Sequence, residues 1–137
     1  MQTTFVKYLL KTGMALIIIL SFACSKTEPS LKDVFKDHFL IGAAINQDQI
    51  MGTDTLAHQV LIKHFNALTA ENAMKWERIH PFPGTYYFVL SDSLVSFAKK
   101  NNMFVTGHTL LWHHQTPKWV FEDSTGKLLT RDSLLAV

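Results

Sequence analysis

Three short apolar runs that do not alternate, separated by stretches with helical spacing, set the tightest limit on what this chain can fold into. Residues 39–45 read Phe-Leu-Ile-Gly-Ala-Ala-Ile, residues 103–112 have a similar character, and residues 65–69 form a weaker third run. A strand with one wet face alternates apolar and polar side chains, whereas a strand covered on both faces has no reason to. Between the runs, Leu56, Val60 and Phe65 follow Asp54 at near-helical spacing, and Leu94, Phe97 and Ala98 follow the cap candidates Ser91 and Asp92. Asn101 and Asn102 stop the second helix, and a further helix starts near Thr130. The order strand, helix, strand, helix, strand predicts right-handed βαβ units and a parallel sheet.

From residue 31 onward there is no low-complexity stretch, evident repeat or second linker, so residues 31–137 read as one continuous folding unit. A parallel eight-stranded barrel needs roughly 250 residues to close, which leaves room here for about its first three βα units. An open doubly wound sheet also fits the length. Its first strand–helix turn, residues 46–53, lacks the glycine pattern that cradles a dinucleotide phosphate, because Gly42 lies inside the strand run and Gly52 stands alone.

Residues 1–23 have a different logic. Lys7 and Lys11 precede an almost purely apolar run over residues 14–20, too short to span a bilayer, which asks for roughly 20 apolar residues, but long enough for an export-signal core of about 7 to 15. The single cysteine, Cys24, directly follows Ser21, Phe22 and Ala23. A lone cysteine forms no internal disulfide, and its position resembles the acylated cysteine of a bacterial lipoprotein signal. The alternatives are an ordinary cleavage site with a stray cysteine, or an N-terminal helix that stays in place. The lipoprotein reading makes 1–23 a signal peptide and 24–30 a polar tether. The protein is then exported and held through Cys24 at the periplasmic or cell-surface side of a membrane. The signal carries two of the 13 basic residues and no acids, so the formal charge falls from +2 to zero once it is gone. No basic cluster follows, and a nucleic-acid partner has no support.

Parallel sheets with helical returns collect functional groups at the carboxyl ends of their strands. Two clusters fall there: residues 69–76 (Thr-Ala-Glu-Asn-Ala-Met-Lys-Trp) and residues 107–115 (Gly-His-Thr-Leu-Leu-Trp-His-His-Gln). Both combine polar and ionisable groups with tryptophan, the chemistry a sugar asks for: paired polar contacts for hydroxyls and an indole face for the C–H face of the ring. Glu71, Asn72, Lys75, His108 and Gln115 are the polar candidates, and Trp112 is the stacking candidate. Each cluster alone also reads as a satisfied polar loop over a core tryptophan. A metal site competes, since His108, His113 and His114 are close in sequence. On a strand, however, His108 and His113 would point to opposite faces, and no cysteine or second histidine-rich segment completes a ligand set. No Gly-x-Ser-x-Gly turn supports a serine nucleophile. Glu71 has no clear partner in Glu77, Glu122 or Asp123 for the two-carboxylate chemistry of glycoside cleavage.

With residues 68–76 and 107–115 in this order, the chain closely resembles the N-terminal third of glycoside hydrolase family 10. The likeness extends to residues 79–84 (Ile-His-Pro-Phe-Pro-Gly), the aromatics of 86–88, residues 94–98 (Leu-Val-Ser-Phe-Ala) and residues 116–120 (Thr-Pro-Lys-Trp-Val), and covers about 31–137. The resemblance implies an α/β fold, a partial TIM barrel, from an enzyme that hydrolyses internal β-1,4 links of xylan with retention and without a cofactor or metal. By the same resemblance Glu71, Asn72 and Lys75 hold the non-reducing-side sugars of xylan or a xylo-oligosaccharide, and His108, Trp112 and Gln115 wall the sugar at the cleavage point. His113 supports that wall from behind.

The resemblance also places both catalytic glutamates beyond Val137. The acid/base glutamate follows an asparagine in the family, and no Asn-Glu pair occurs here. These residues alone are therefore expected to be inactive. A non-catalytic carbohydrate-binding surface lipoprotein is the alternative expectation, and a barrel lipoprotein acting on another polymer is a third.

Overall fold

The computed structural model describes residues 28–137. The expected signal peptide, Cys24 and the first part of the tether lie outside the described residues. After a short helix α1 (Leu31–Val34) come β1 (Gly42–Ile45), α2 (Gln47–Met51), α3 (Thr55–His64), β2 (Ala67–Ala70), α4 (Trp76–Ile79), α5 (Val89–Lys100), β3 (Phe104–Thr106), a 3-10 turn (Lys118–Val120) and α6 (Arg131–Leu135). The three strands form one parallel sheet in the order β1-β2-β3, with Gly42 opposite Ala67 and Ala67 opposite Phe104.

One face of this sheet carries the core. Ile45, Leu68 and Ala70 point into it and meet Ile50 of α2, Leu61 of α3, Leu94 and Ala98 of α5, and Met103. Ile45, Leu68 and Leu94 are the largest side chains with essentially no solvent access. Cap chemistry fixes the helices around them. Asn46 and Gln49 form a reciprocal capping box on α2, Asp54 accepts from the Ala57 amide at the start of α3, and Thr130 caps α6. The His58 ring pairs with the Gln49 carbonyl and lies 4.4 Å from the Phe97 ring, tying α3 to α2 and α5. Asn102, at φ 54°, closes α5 in the left-handed region that asparagine tolerates.

Four expectations change. The sheet is covered on one face, not two: Ala44, Thr69, Phe104 and Thr106 line an open face. Apolar alternation is missing there because the open-face positions of β1 and the start of β2 are the small residues Gly42, Ala44 and Ala67 rather than polar ones. The first strand begins only at Gly42: the Ile41 carbonyl still accepts from the Asn66 and Ala67 amides, but the Ile41 amide is taken by the Asn66 side chain at 2.7 Å. The third run pairs over only three residues, Phe104–Thr106, and the Thr69 hydroxyl donates to the Thr106 carbonyl at 2.8 Å where the strand ends. Ser91 and Asp92 do not cap α5, which begins at Val89; the Ser91 hydroxyl instead donates back to the Phe88 carbonyl at 2.9 Å from inside the helix.

Candidate functional site

Because the strands are parallel, the loops after β1, β2 and β3 emerge at one edge of the sheet. The Glu71 amide still donates to the Ile45 carbonyl at 3.0 Å, so the sheet positions the second loop up to its first residue. Glu71 and Asn72 are exposed, and the chain then turns inward at Lys75, whose amide bonds the Asn72 carbonyl. Lys75 is only 4% exposed. It sits at the N-cap of α4, its own carbonyl accepting from Arg78 and Ile79, and its Nζ lies 4.4 Å from the centroid of the Trp112 ring.

That placement has an electrostatic consequence. The Lys75 stem is buried while its ammonium has no carboxylate partner, since the sole ion pair among the described residues is Arg131–Asp132 on exposed side chains. The Trp112 face attracts it through its quadrupole, roughly 0.5–1 kcal/mol for a pair that keeps solvent. The three donors of the ammonium meet no acceptor among the described residues, so they are available to hydroxyl oxygens of a ligand.

The third loop is drawn to the second by Gln115. Its Nε2 donates to Asn72 Oδ1 at 2.9 Å, and its carbonyl accepts from the Glu77 amide at 2.9 Å. Gln115 reaches both partners from a left-handed backbone, φ 53°. The Thr116 hydroxyl donates to the Trp112 carbonyl at 2.6 Å and steadies the loop that presents the indole. The His108 ring lies 6.1 Å from that indole and is exposed, after a chain turn that includes a cis peptide between His108 and Thr109.

The structure therefore brings Lys75 against Trp112 and Asn72 against Gln115, both pairs bridging the same two loops, and sets His108 beside Trp112. Glu71 borders the group without a side-chain contact to it. His113 is exposed, with its ring 5.3 Å from Trp112 and 4.1 Å from His114. Since β3 ends at Thr106, the argument that a strand would send His108 and His113 to opposite faces does not describe them: both are loop residues. Among the described residues no group of three or more His, Cys, Asp or Glu is placed to hold a metal ion.

A cavity of about 480 Å³ opens on the other side of His108, lined by Trp76, His80, Tyr86 and Phe88. His80 stacks on Tyr86 at 4.0 Å and meets the edge of Trp119 at 4.7 Å, and His80 Nε2 and Trp119 Nε1 are buried without a hydrogen-bond partner. Sequence reasoning did not assemble this aromatic wall. The density of aromatic residues over 76–88 was the available signal.

With this geometry in place, likeness to known proteins becomes informative. A family model described as "Glycosyl hydrolase family 10" matches residues 30–135. A "Beta-1,4-xylanase" of Dictyoglomus thermophilum is 52% identical over 103 residues, covering 75% of this chain and 28% of the relative. An "Endo-1,4-beta-xylanase A" of Xylanibacter ruminicola is 40% identical over 122 residues, covering 89% and 33%. Among solved structures, an endo-1,4-beta-xylanase from Caldicellulosiruptor owensensis matches with a TM-score of 0.71 and 45% identity, over 80% of this chain and 32% of that one. The chain thus spans about a third of the length of these relatives, and its three βα units correspond to part of their barrel.

Proposed function

The chain belongs to glycosyl hydrolase family 10, and from that premise we propose that it is the sugar-holding first third of an endo-1,4-β-xylanase. In this reading Glu71, Asn72 and Lys75 hold the sugars on the non-reducing side of the bond to be cut, while His108, Trp112 and Gln115 wall the sugar at that bond. The observation that carries the proposal is the Lys75 ammonium over the Trp112 face, on the same two loops that the Asn72–Gln115 pair ties together. An ammonium donor, two amides and an indole face suit a polyhydroxylated ring better than a wholly apolar ligand.

Retaining cleavage needs two carboxyl groups roughly 5–5.5 Å apart, one to protonate the leaving oxygen and one to attack the anomeric carbon. Residues 68–76 and 107–115 carry a single carboxylate, Glu71. In this reading neither the acid/base nor the nucleophile is supplied by these two loops, which hold the sugar rather than cleave it. The single carboxylate also favours a second reading, a non-catalytic carbohydrate-binding lipoprotein.

One experiment separates the two. The native full-length polypeptide is incubated with xylan and its products are followed by NMR at the anomeric position. The enzyme reading expects internal cleavage with the β configuration first formed. Binding of xylo-oligosaccharides without cleavage would favour the binder, and neither binding nor cleavage would overturn both. The lipid anchor is a separate part of the proposal and rests on the placement of Cys24 after a short apolar run. Cys24→Ala should release the protein from the membrane fraction, and unchanged retention would contradict the anchor.

A further inference from the structure

A second, smaller recess lies at the same sheet edge, between the loops after β1 and β2. It encloses about 230 Å³ and is lined by Asn46, Gln47, Asn72 and Arg78, with Ala73 and Leu90 also in its wall. The volume is below the roughly 300–1,000 Å³ of sites for drug-sized ligands, which suits one sugar ring better than a chain of them.

Its chemistry is one-sided. Arg78 is the only ionisable residue in the lining, no carboxylate lies within 4.0 Å of it among the described residues, and no aspartate or glutamate shares the wall. The amides are biased the same way. The Asn46 side-chain oxygen is occupied by the Gln49 amide, and the Asn72 side-chain oxygen by Gln115 Nε2. Each asparagine therefore has its oxygen engaged and its NH2 free, so the recess offers donors around a guanidinium fork. A guanidinium with no partner and a surround of N–H groups is complementary to a carboxylate, which it can take through two parallel hydrogen bonds.

We infer that this recess is a subsite for an acidic sugar, a uronic acid branch carried by the polysaccharide backbone bound at Asn72 and Lys75. The inference rests on the sugar-site reading above, because Asn72 is shared: its oxygen braces Gln115 toward the main site while its side chain forms one wall of the recess. A backbone sugar held against Asn72 places a substituent within reach of Arg78.

The test is calorimetric titration of the full-length polypeptide with plain xylotetraose, with xylotetraoses carrying one glucuronosyl branch at each sugar in turn, and with the same branched set after reduction of the carboxyl group to an alcohol. One branched acid should bind about tenfold more tightly than its reduced counterpart, a difference typical of one charge-assisted contact, and the gap should narrow as salt is added. Arg78→Gln should abolish the preference and leave plain xylotetraose unaffected, while Arg78→Lys, which keeps the charge without the fork, should retain part of it. Equal affinity for every acid and its alcohol, or a preference that survives in R78Q, overturns the subsite while the main site stands. If plain xylotetraose does not bind, the sugar-site reading fails and this inference falls with it.

Discussion

Gln115 Nε2 donates to Asn72 Oδ1 at 2.9 Å, across 43 residues of sequence, and in doing so closes the loop after β3 onto the loop after β2. The Gln115 carbonyl adds a second tie, to the Glu77 amide. Holding a non-glycine residue at φ 53° is uncommon, and here two inter-loop bonds depend on it.

The first prediction concerns this closure. A side-chain hydrogen bond of this kind contributes about 1 kcal/mol net, so Asn72→Ala and Gln115→Ala should each destabilise by about that amount. The double variant should cost less than their sum, with a coupling of about 1 kcal/mol in a double-mutant cycle read by denaturant unfolding. Strict additivity would mean that the bond does not tie the loops.

Lys75 and Trp112 give a prediction in which stability and binding part company. Lys75→Met keeps most of the buried side-chain stem and removes a charge that no carboxylate pairs, so stability should change by less than about 1 kcal/mol. Xylo-oligosaccharide affinity should fall at least about tenfold, since charged hydrogen bonds to ligand oxygens are worth about 1.5–3 kcal/mol each. Trp112→Ala should lower both. A K75M protein that is markedly less stable yet binds sugar normally would show the lysine to be structural.

The order of elements is legible because each signal is local: unalternating apolar runs and helical spacing after Asp54 and near Thr130. Strand ends were not legible, since they depend on distant groups. The Thr69 hydroxyl meets the Thr106 carbonyl at the end of β3 across 37 residues, and the Asn66 side chain claims the Ile41 amide across 25. The covered face was misread for a related reason. Alanine and glycine look the same to a hydropathy pattern whether they lie under a helix or on an open sheet face. At the site, the residue types of 69–76 and 107–115 pointed to sugar chemistry, but the contacts Lys75–Trp112 and Asn72–Gln115 exist only once parallel pairing brings the two loops to one edge. Arg78 was invisible for the same reason, its recess being made by Asn46 from one loop and Asn72 from another.

Core packing yields a paired prediction along α5. Leu94 has no solvent access and packs beneath the sheet, whereas Val95, the next residue, is 45% exposed. Leu94→Ala removes buried methyl groups and leaves a cavity, so it should cost about 3–4 kcal/mol. Val95→Ala, about 100° further round the same helix and facing solvent, should change stability by less than about 0.5 kcal/mol, helped by the better helix propensity of alanine. Similar losses at both positions, measured by thermal or denaturant unfolding, would mean that α5 is rotated from the orientation described.

The turn after the 3-10 segment supplies a pH prediction with a definite sign. The Thr125 hydroxyl donates to Asp123 Oδ1 at 2.6 Å, and the Thr125 and Lys127 amides donate to the same oxygen at 2.8 and 3.1 Å. These bonds favour the ionised form, the Thr125 hydroxyl most strongly, and hold the carboxyl below the ordinary aspartate value of 3.8. A carboxyl whose pKa is lower folded than unfolded binds fewer protons in the folded state. Its contribution to stability is therefore present above the unfolded value and lost as pH falls through the folded one. The turn should stay closed down to pH values at which an unrestrained aspartate is already protonated. Thr125→Val removes the strongest donor and should move the Asp123 titration, followed by carboxyl NMR, upward toward 3.8. The side chain is fully exposed, so the accompanying stability change should be small. A titration that does not move in the variant would show that the Thr125 hydroxyl is not the bond that holds the carboxylate.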